Sequence, residues 1–465
     1  MSVVSDLTAL LGQGAVLAGD GLAARPYLHD ETETRAITGA ADAVALPADA
    51  EQVAATLRWC YEHDVTITPR GGGTGYAGGA VPLGGVVLSL ERLGGAAVVE
   101  PEHWRAWVPA GARTAEVRRR AREHGLYYAP DPGSAESSMI GGNIATNAGG
   151  PHTFKYGVTG TWVTGLEVAL APGELVRIGG VARKDVGGYD LRSLLVGSEG
   201  TLGIITGAFL KLLPAPESAL PVVGFYPDAQ SGADALAAAM VCGIVPATLE
   251  FFDAGALRAS LRPLRSAVDS LPADLAQRAA FMLIAEADGS QQEAAAGQRE
   301  LELALEDGAV TVYAPATLAQ VAALWRWREG VSGAVTSQHG GKLSEDIVVP
   351  VECLAEAVDF TVELGARHGL DACSWGHGGD GNVHATFMLD RGEAEQVARA
   401  ERAAQELFAF AASHGGAITG EHGVGLVKNG QLSLQWPPAA LAIHEGIKRL
   451  LDPKGLLNPG KKLVR

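Results

Sequence analysis

Arg70-Gly71-Gly72-Gly73-Thr74-Gly75-Tyr76-Ala77-Gly78-Gly79 is the stretch on which the fold turns. Gly73 to Gly78 satisfies the pattern GxGxxG. In a doubly wound dinucleotide fold that pattern opens a helix whose N-terminus holds a pyrophosphate. Here the loop runs on to Pro82, Gly84 and Gly85 and then to the apolar run Val86–Leu90, which reads as a strand. The nicotinamide-type reading therefore fails on local structure. What survives is the physics of the loop: successive glycines let backbone N–H groups converge on an anion. A wide surface loop is the competing reading of this segment alone.

Outward from the loop, short apolar strands alternate with helices. Ala43–Leu46 is followed by Asp49, an N-cap for a helix through Trp59 and Glu62. Strands are expected at Val65–Thr68, Ala96–Val99 and Arg105–Val108, with a helix from Thr114 to His124. Leu166–Leu170 and Glu174–Ile178 flank Pro172-Gly173 as a hairpin, and Thr201–Leu213 forms a strand before the boundary Pro214-Ala215-Pro216. Strands are expected again at Phe281–Ala285, Thr311–Tyr313, Asp346–Val349 and Asn382–Leu389. Long helices follow, over Glu393–His414 and before Asp452-Pro453.

Two further small-residue stretches lie in the first half. Asp131-Pro132-Gly133-Ser134 precedes the run from Met139 to Gly150, in which Ser137, Asn143 and Thr146 offer polar contacts; Gly197-Ser198-Glu199-Gly200-Thr201-Leu202-Gly203 is the other. Three such stretches on one strand-rich half suggest a long cofactor lying across loops.

With 465 residues, the chain has room for two or three domains of ~100–200 residues each. A formal charge of -17 argues against nucleic acid or anionic lipid as a partner, so cations serving an anionic substrate must be placed individually. Cys60, Cys242, Cys353 and Cys373 are scattered without a CxxC, which fits a reducing cytosol. The stretch from Met1 to Gly14 does not read as a signal peptide, and no apolar run approaches the ~20 residues of a membrane span. A cytoplasmic protein is expected, peripheral to a membrane at most through its electron acceptor.

Taken in order, Arg70–Gly75, Ile140–Gly150 and Gly197–Thr206 resemble the FAD domain of the vanillyl-alcohol-oxidase/PCMH-type superfamily. Leu126-Tyr127-Tyr128-Ala129-Pro130-Asp131-Pro132 and the terminal Asp452-Pro453-Lys454-Gly455-Leu456-Leu457-Asn458-Pro459-Gly460-Lys461 are similar to the glycolate oxidase, D-lactate and D-2-hydroxyglutarate dehydrogenase branch. The resemblance covers nearly everything from Ala43 to Leu463. It implies an α+β fold: a PCMH-type FAD-binding domain of two α/β subdomains over 38–216, a cap domain with an antiparallel sheet over 217–415, an N-terminal helical segment over 1–37 and a returning segment over 416–465. It further implies that FAD is bound by Pro69, Arg70, Gly71, Gly72, Gly73, Thr74, Gly75 and Tyr76, by Pro130, Asp131, Pro132, Gly133 and Ser137, by Gly141, Gly142, Asn143, Thr146 and Gly149, by Glu199, Gly200, Gly203 and Ile205, and by Asn458. Some relatives attach flavin through a histidine in the glycine loop. This loop has Tyr76 and no histidine, so non-covalent FAD is expected.

Trp375-Gly376-His377-Gly378-Gly379-Asp380-Gly381-Asn382-Val383-His384 sets two histidines around a glycine turn. Val383, Ala385, Phe387 and Leu389 alternate toward a core, which turns His384 and Thr386 to the opposite face. Gly420-Glu421-His422-Gly423 adds a carboxylate and a third imidazole. Neutral imidazoles with a carboxylate suit Zn²⁺, Mn²⁺ or Fe²⁺ with positions left for a chelating acid. The resemblance assigns His377, His384 and Glu421 as ligands, Zn²⁺ or Mn²⁺ being the expected ion. His29, His63, His103, His124, His368 and His444 read as structural or surface residues.

The resemblance also places Arg328 and Lys342 at positions that bind a substrate carboxylate, against the competing view that they are solvated surface cations. Trp325 and Trp327 read as packing, and Asn382 as support for substrate or ligand. The implied reaction takes a D-2-hydroxy acid to the 2-oxo acid, with His422 as base and hydride passing to flavin N5. Electrons would go on to a quinone, cytochrome, flavoprotein or iron–sulfur subunit, and a homodimer is allowed. Three alternatives stay open: an aldonolactone oxidase or alkyl-glycerone-phosphate synthase-like flavoenzyme, a flavin-free metallohydrolase on the same three ligands, and a non-catalytic FAD-binding subunit.

Overall fold

The chain folds as two compact units, one of Met1–Gly149, Gly157–Ala215 and Glu421–Arg465, the other of Gly150–Tyr156 and Pro216–Gly420. The structure is a computed structural model that describes residues 2–267 and 271–462. Met1, where the expected N-terminal segment begins, and residues 463–465, which include Leu463 and close the expected C-terminal segment, lie outside the described residues.

In the first unit, Ala43–Ala45 and Ile67–Arg70 run parallel on either side of Val86–Ser89, and Val16–Ala18 adds an antiparallel edge. Parallel strands covered on both faces need continuous apolar runs, and Ala43, Val44, Ala45, Val86, Val87 and Leu88 have no exposed surface. Asp49 accepts from the Gln52 N–H at 2.8 Å and starts the helix Ala50–Glu62. That helix sends Val53, Leu57, Cys60 and Tyr61 into a core shared with Leu7 and Leu11. The glycine loop thus leaves one strand at Arg70 and re-enters the sheet at Val86, with no helix between. A second, antiparallel sheet follows the order Val98–Glu100, Arg105–Pro109, Ile204–Lys211, Val163–Leu170, Glu174–Gly179. Its last two strands form the hairpin around Pro172-Gly173.

Two local readings need correction. The glycine-rich run from Met139 is not loop throughout: Ile140–Thr146 is a helix, because Ile140 and Ile144, four residues apart on one face, are both buried. Packing overrides the low helix propensity of Gly141 and Gly142. The strand expected from Thr201 begins at Ile204, because Thr201 closes a turn on the Ser198 carbonyl at 3.1 Å.

The second unit is built on seven strands, β1 (Ser218–Tyr226), β2 (Thr248–Asp253), β3 (Phe281–Gly289), β4 (Thr311–Tyr313), β5 (Gly341–Val348), β6 (Asp371–His377) and β7 (Asn382–Leu389). They order as β4-β1-β3-β2-β6-β7-β5, every neighbour antiparallel. β5 starts at Gly341, earlier than the apolar pattern suggested, since Lys342, Glu345 and Asp346 interrupt that pattern while lying in the strand. Helices α1 (Ala254–Ala267) and α2 (Leu318–His339) pack on one face through Leu257, Leu324, Trp327 and Val331 against Phe225, Phe252, Met282, Ile284 and Trp375. The register continues that face as a polar band: Glu250 pairs with His377, His377 with Asn382, Trp375 with His384, and His384 with Asp346. With a side-chain period of two, all of these residues share one side of the sheet.

Candidate active site

The first unit supplies a cradle built largely of main chain. The Arg70 guanidinium donates to the carbonyls of Pro26 (2.8 Å) and His29 (2.6 Å), tying that segment to the start of the glycine loop. A Cβ on Gly72 would fall 2.3 Å from the Ser137 carbonyl oxygen, so the first and second loops touch there and only glycine fits. Gly141 is similarly closed by Ala110, whereas a Cβ on Gly133 or Gly142 would meet nothing within 4 Å. Several of the expected cofactor residues hold this cradle together with their own side chains. Asn143 donates to Thr114 Oγ1 (2.6 Å), Thr146 to the Gly142 carbonyl (3.2 Å), and Asp131 faces Arg118 at 3.8 Å. Ile205 is buried in its strand opposite Val168.

Glu199 is the hub of the third loop. Its carboxylate accepts from the N–H groups of Val424 (2.8 Å) and Gly425 (2.7 Å), and its carbonyl accepts from Asn458 Nδ2 at 2.7 Å. Asn458 Nδ2 also donates to the Gly79 carbonyl at 2.9 Å. Four segments of the chain are thereby joined through two side chains. The same arrangement brings the His422 ring to 4.8 Å from that of Tyr76, centroid to centroid. The expected base therefore lies beside the expected cofactor loop, within one unit.

Whether FAD fits can be judged from what the cradle leaves unsatisfied. Asn458 Oδ1, Ser198 Oγ and Lys461 Nζ are buried without a hydrogen-bond partner among the described residues. Burial pushes the Lys461 ammonium down to about 8 despite Asp30 and Glu199 nearby. A buried polar group without a partner costs about 1–3 kcal/mol, and the phosphates, hydroxyls and ring edge of FAD provide such partners. The residues fit the group. Lys461 carries no signal in the sequence beyond its place in the terminal motif.

In the second unit the polar band is organised by a residue that sequence reasoning missed. Glu250 on β2 is fully buried; one carboxylate oxygen takes His377 Nδ1, and the other takes Nε (2.7 Å) and Nη2 of Arg328 on α2. Burial alone would raise the Glu250 carboxyl, but the Arg328 and His377 charges outweigh it and hold it well below the usual carboxylate range. One turn earlier on α2, Trp325 Nε1 donates to Glu286 Oε2 at 3.0 Å, and the other oxygen of Glu286 meets His152 Nε2 at 3.2 Å. Trp325 thus does more than pack, while Trp327 is core and donates to the Ser260 carbonyl. Glu286 and His152 were also missed: an isolated glutamate in an apolar strand and a lone histidine in a glycine-rich turn give no pattern to read.

Lys342 Nζ donates to the Ser332 carbonyl (3.0 Å) and to its hydroxyl, and lies 5.1 Å from the Trp375 ring centroid. Burial pushes its ammonium down to about 8. Asn382 donates to the Ile347 carbonyl at 2.9 Å, and a Cβ on Gly420 would sit 2.4 Å from its Nδ2. Its amide therefore packs closely against Gly420. Asp346, with no exposed surface, accepts from the Gly420 N–H (2.6 Å) and from Thr419 Oγ1 (3.1 Å), fixing the same segment.

The His377 and His384 rings are 5.4 Å apart and nearly perpendicular. Gly381, with φ +66, makes the tight turn between their strands, where a Cβ would strike the Val349 carbonyl at 2.0 Å. Glu421 follows Gly420 by one peptide bond. His377 and His384 offer two imidazoles and Glu421 a carboxylate, donor types suited to a divalent ion. No helix among the described residues is long and apolar enough to cross a membrane.

Comparison with known proteins fits this division of labour. Residues 41–179 match the FAD binding domain family, and residues 215–462 match the family of FAD linked oxidases, C-terminal domain. The chain is 36% identical over 427 residues to "Glycolate oxidase subunit GlcD" of Bacillus subtilis, covering 91% of this chain and 89% of that one. It is 33% identical to a D-lactate dehydrogenase of Anaerostipes hadrus (96% and 94% covered) and 36% identical to a D-2-hydroxyglutarate dehydrogenase of Xanthomonas citri pv. viticola (90% and 88%). Among solved structures, p-cresol methylhydroxylase shares the fold with a TM-score of 0.79 at 20% identity, covering 98% of this chain and 95% of that one. Alkyldihydroxyacetonephosphate synthase is more distant, with a TM-score of 0.73 at 17% identity (98% and 84% covered). The chain belongs to the family of FAD linked oxidases, and it is an FAD-linked oxidoreductase.

Proposed function

We propose that this enzyme oxidises a D-2-hydroxy acid of the glycolate, D-lactate and D-2-hydroxyglutarate class to the 2-oxo acid. The observation that carries the reading is the polar band of the seven-stranded sheet, where the imidazoles of His377 and His384 adjoin a guanidinium held by the buried Glu250 carboxylate. A chelating acid needs both. The glycolate oxidase subunit, D-lactate dehydrogenase and D-2-hydroxyglutarate dehydrogenase to which the chain is 33–36% identical support the same class.

Arg328, gripped by Glu250 through Nε and Nη2, keeps its Nη1 edge for the substrate carboxylate, with Lys342 as the second cation. His377, His384 and Glu421 would hold a divalent ion, Zn²⁺ or Mn²⁺ by donor type, which would supply Lewis acidity to the substrate's oxygens. His422 accepts the C2 hydroxyl proton as the C2 hydrogen departs with its electron pair and the carbonyl forms. FAD, when bound, supplies the two-electron acceptor. Tyr76 stacks on His422 and limits where that imidazole can sit. Re-oxidation falls to a quinone, cytochrome, flavoprotein or iron–sulfur partner. A flavin-free hydrolase would leave the three glycine loops and their unsatisfied polar atoms without a role.

The test is anaerobic titration of the flavin absorbance with a panel of D- and L-2-hydroxy acids. Bleaching by glycolate or a D-acid, with L-acids inert, is the expected result. A flavin that dithionite reduces but no hydroxy acid touches would end this reading.

A further inference from the structure

We infer that Glu250 is a shared positioning residue, one buried carboxylate that aims the metal ligand His377 and the substrate anchor Arg328 together. The inference rests on the hydroxy-acid reading above and adds to it a coupling between two binding functions.

The geometry is specific. His377 lies 127 residues from Glu250 in the chain and Arg328 lies 78, on a strand and a helix respectively, yet both meet the same carboxylate. With Nδ1 on Glu250, the His377 proton is fixed on that nitrogen, which leaves Nε2 as the atom that would hold a metal. A carboxylate behind a ligating imidazole sets its tautomer and rotation and raises its basicity. The second oxygen takes two N–H groups on one edge of the Arg328 guanidinium, which fixes the plane in which that group meets a carboxylate. A buried ion pair of this kind adds little net stability, since the desolvation of both charges offsets their attraction. What it does supply is orientation.

α2 has a separate hold on the sheet one turn away, where Trp325 donates to Glu286 at 3.0 Å. Loss of the Glu250 charge therefore need not unseat the helix. That rung also furnishes a control, because Trp325→Phe disturbs the same helix without touching His377 or Arg328.

The experiment uses the full-length flavoprotein loaded with Zn²⁺. Metal retained after dialysis against graded chelator, KM for the best acid of the panel, flavin content and melting temperature are read in parallel for wild type, Glu250→Gln and Trp325→Phe. Glu250→Gln should hold metal about 10- to 100-fold more weakly, raise KM at least about tenfold and keep its flavin. Trp325→Phe should lower the melting temperature while retaining metal as wild type does. The shared role is overturned if Glu250→Gln keeps both metal and KM, if only one of them moves, or if Trp325→Phe loses metal to the same extent. A wild type that no hydroxy acid reduces would instead remove the functional reading, and the metal measurements would still report on Glu250.

Discussion

His422 is the base of the proposed reaction, and a substitution there should separate chemistry from cofactor binding. Its ring is held against Tyr76, while the cradle's unsatisfied atoms belong to Asn458, Ser198 and Lys461. His422→Asn should keep its full complement of FAD and lose about 10²–10⁴-fold in kcat/KM, the usual scale of a lost general base. Flavin loss parallel to activity would instead give His422 a structural role. Lys342 offers a pH signature. Burial favours its neutral form and brings its pKa down to about 8, so the cation is complete below that pH and disappears above it. If the cation binds the substrate carboxylate, kcat/KM should fall about tenfold per pH unit above roughly pH 8, and Lys342→Arg should move that limb out of the accessible range. A flat profile to pH 9.5 would remove Lys342 from substrate binding. Residues of this kind differ in how well the sequence shows them. His377, His384 and Glu421 stand in dense glycine-flanked motifs, whereas Glu250 lies among Leu249, Phe251 and Phe252 and reads only as an interruption of a strand. Its partners are too far along the chain for any local pattern to connect them.

At the scale of elements, regular strands were legible and the glycine-rich segments were not. Asn382–Leu389 follows its alternation, Val383, Ala385, Phe387 and Leu389 on one face and His384 and Thr386 on the other, although both faces are buried. Ile140–Thr146 was hidden because two of its seven residues are glycines, and its stability comes from burying Ile140 and Ile144. That helix gives a clean test of the cradle. A Cβ at Gly142 meets no protein atom within 4 Å, so Gly142→Ala should not harm the apoprotein, and an interior Gly→Ala change stabilises a helix by about 0.5–1 kcal/mol. The open space beside it is where the cofactor is expected. Gly142→Ala should therefore melt no lower than wild type as apoprotein and still bind FAD more weakly, which flavin fluorescence on titration would reveal. Unchanged affinity would move the cofactor away from this helix. Gly72→Ala is the opposite case: its Cβ would meet backbone at 2.3 Å, so the apoprotein itself should be destabilised.

For the whole molecule, the decisive feature is that the chain returns to its first unit at Glu421. Leu457 pairs with Ile67, and Asp452 accepts from Leu456 and Leu457 N–H groups, from Lys448 and from Tyr61, so the terminal motif completes a core begun some 390 residues earlier. Nothing in local composition announces such a return; a returning segment was expected only from the resemblance that covers nearly everything from Ala43 to Leu463. In the proposed reaction the two residues that open this return, Glu421 and His422, would serve as ligand and base. Metal removal tests that arrangement without mutation. FAD binding is assigned to the glycine cradle and metal binding to His377, His384 and Glu421, so chelation should leave the flavin bound while abolishing most of its reduction by hydroxy acid. It should also lower the melting temperature, since an ion at 100-fold excess over its Kd stabilises by about 2.7 kcal/mol. Zn²⁺ or Mn²⁺ should restore both properties; Mg²⁺, which prefers oxygen ligands, should restore neither. If metal-free protein melts unchanged and is reduced at the wild-type rate, the two histidines and the glutamate form a polar network only, and His422 with the two cations must carry the chemistry alone.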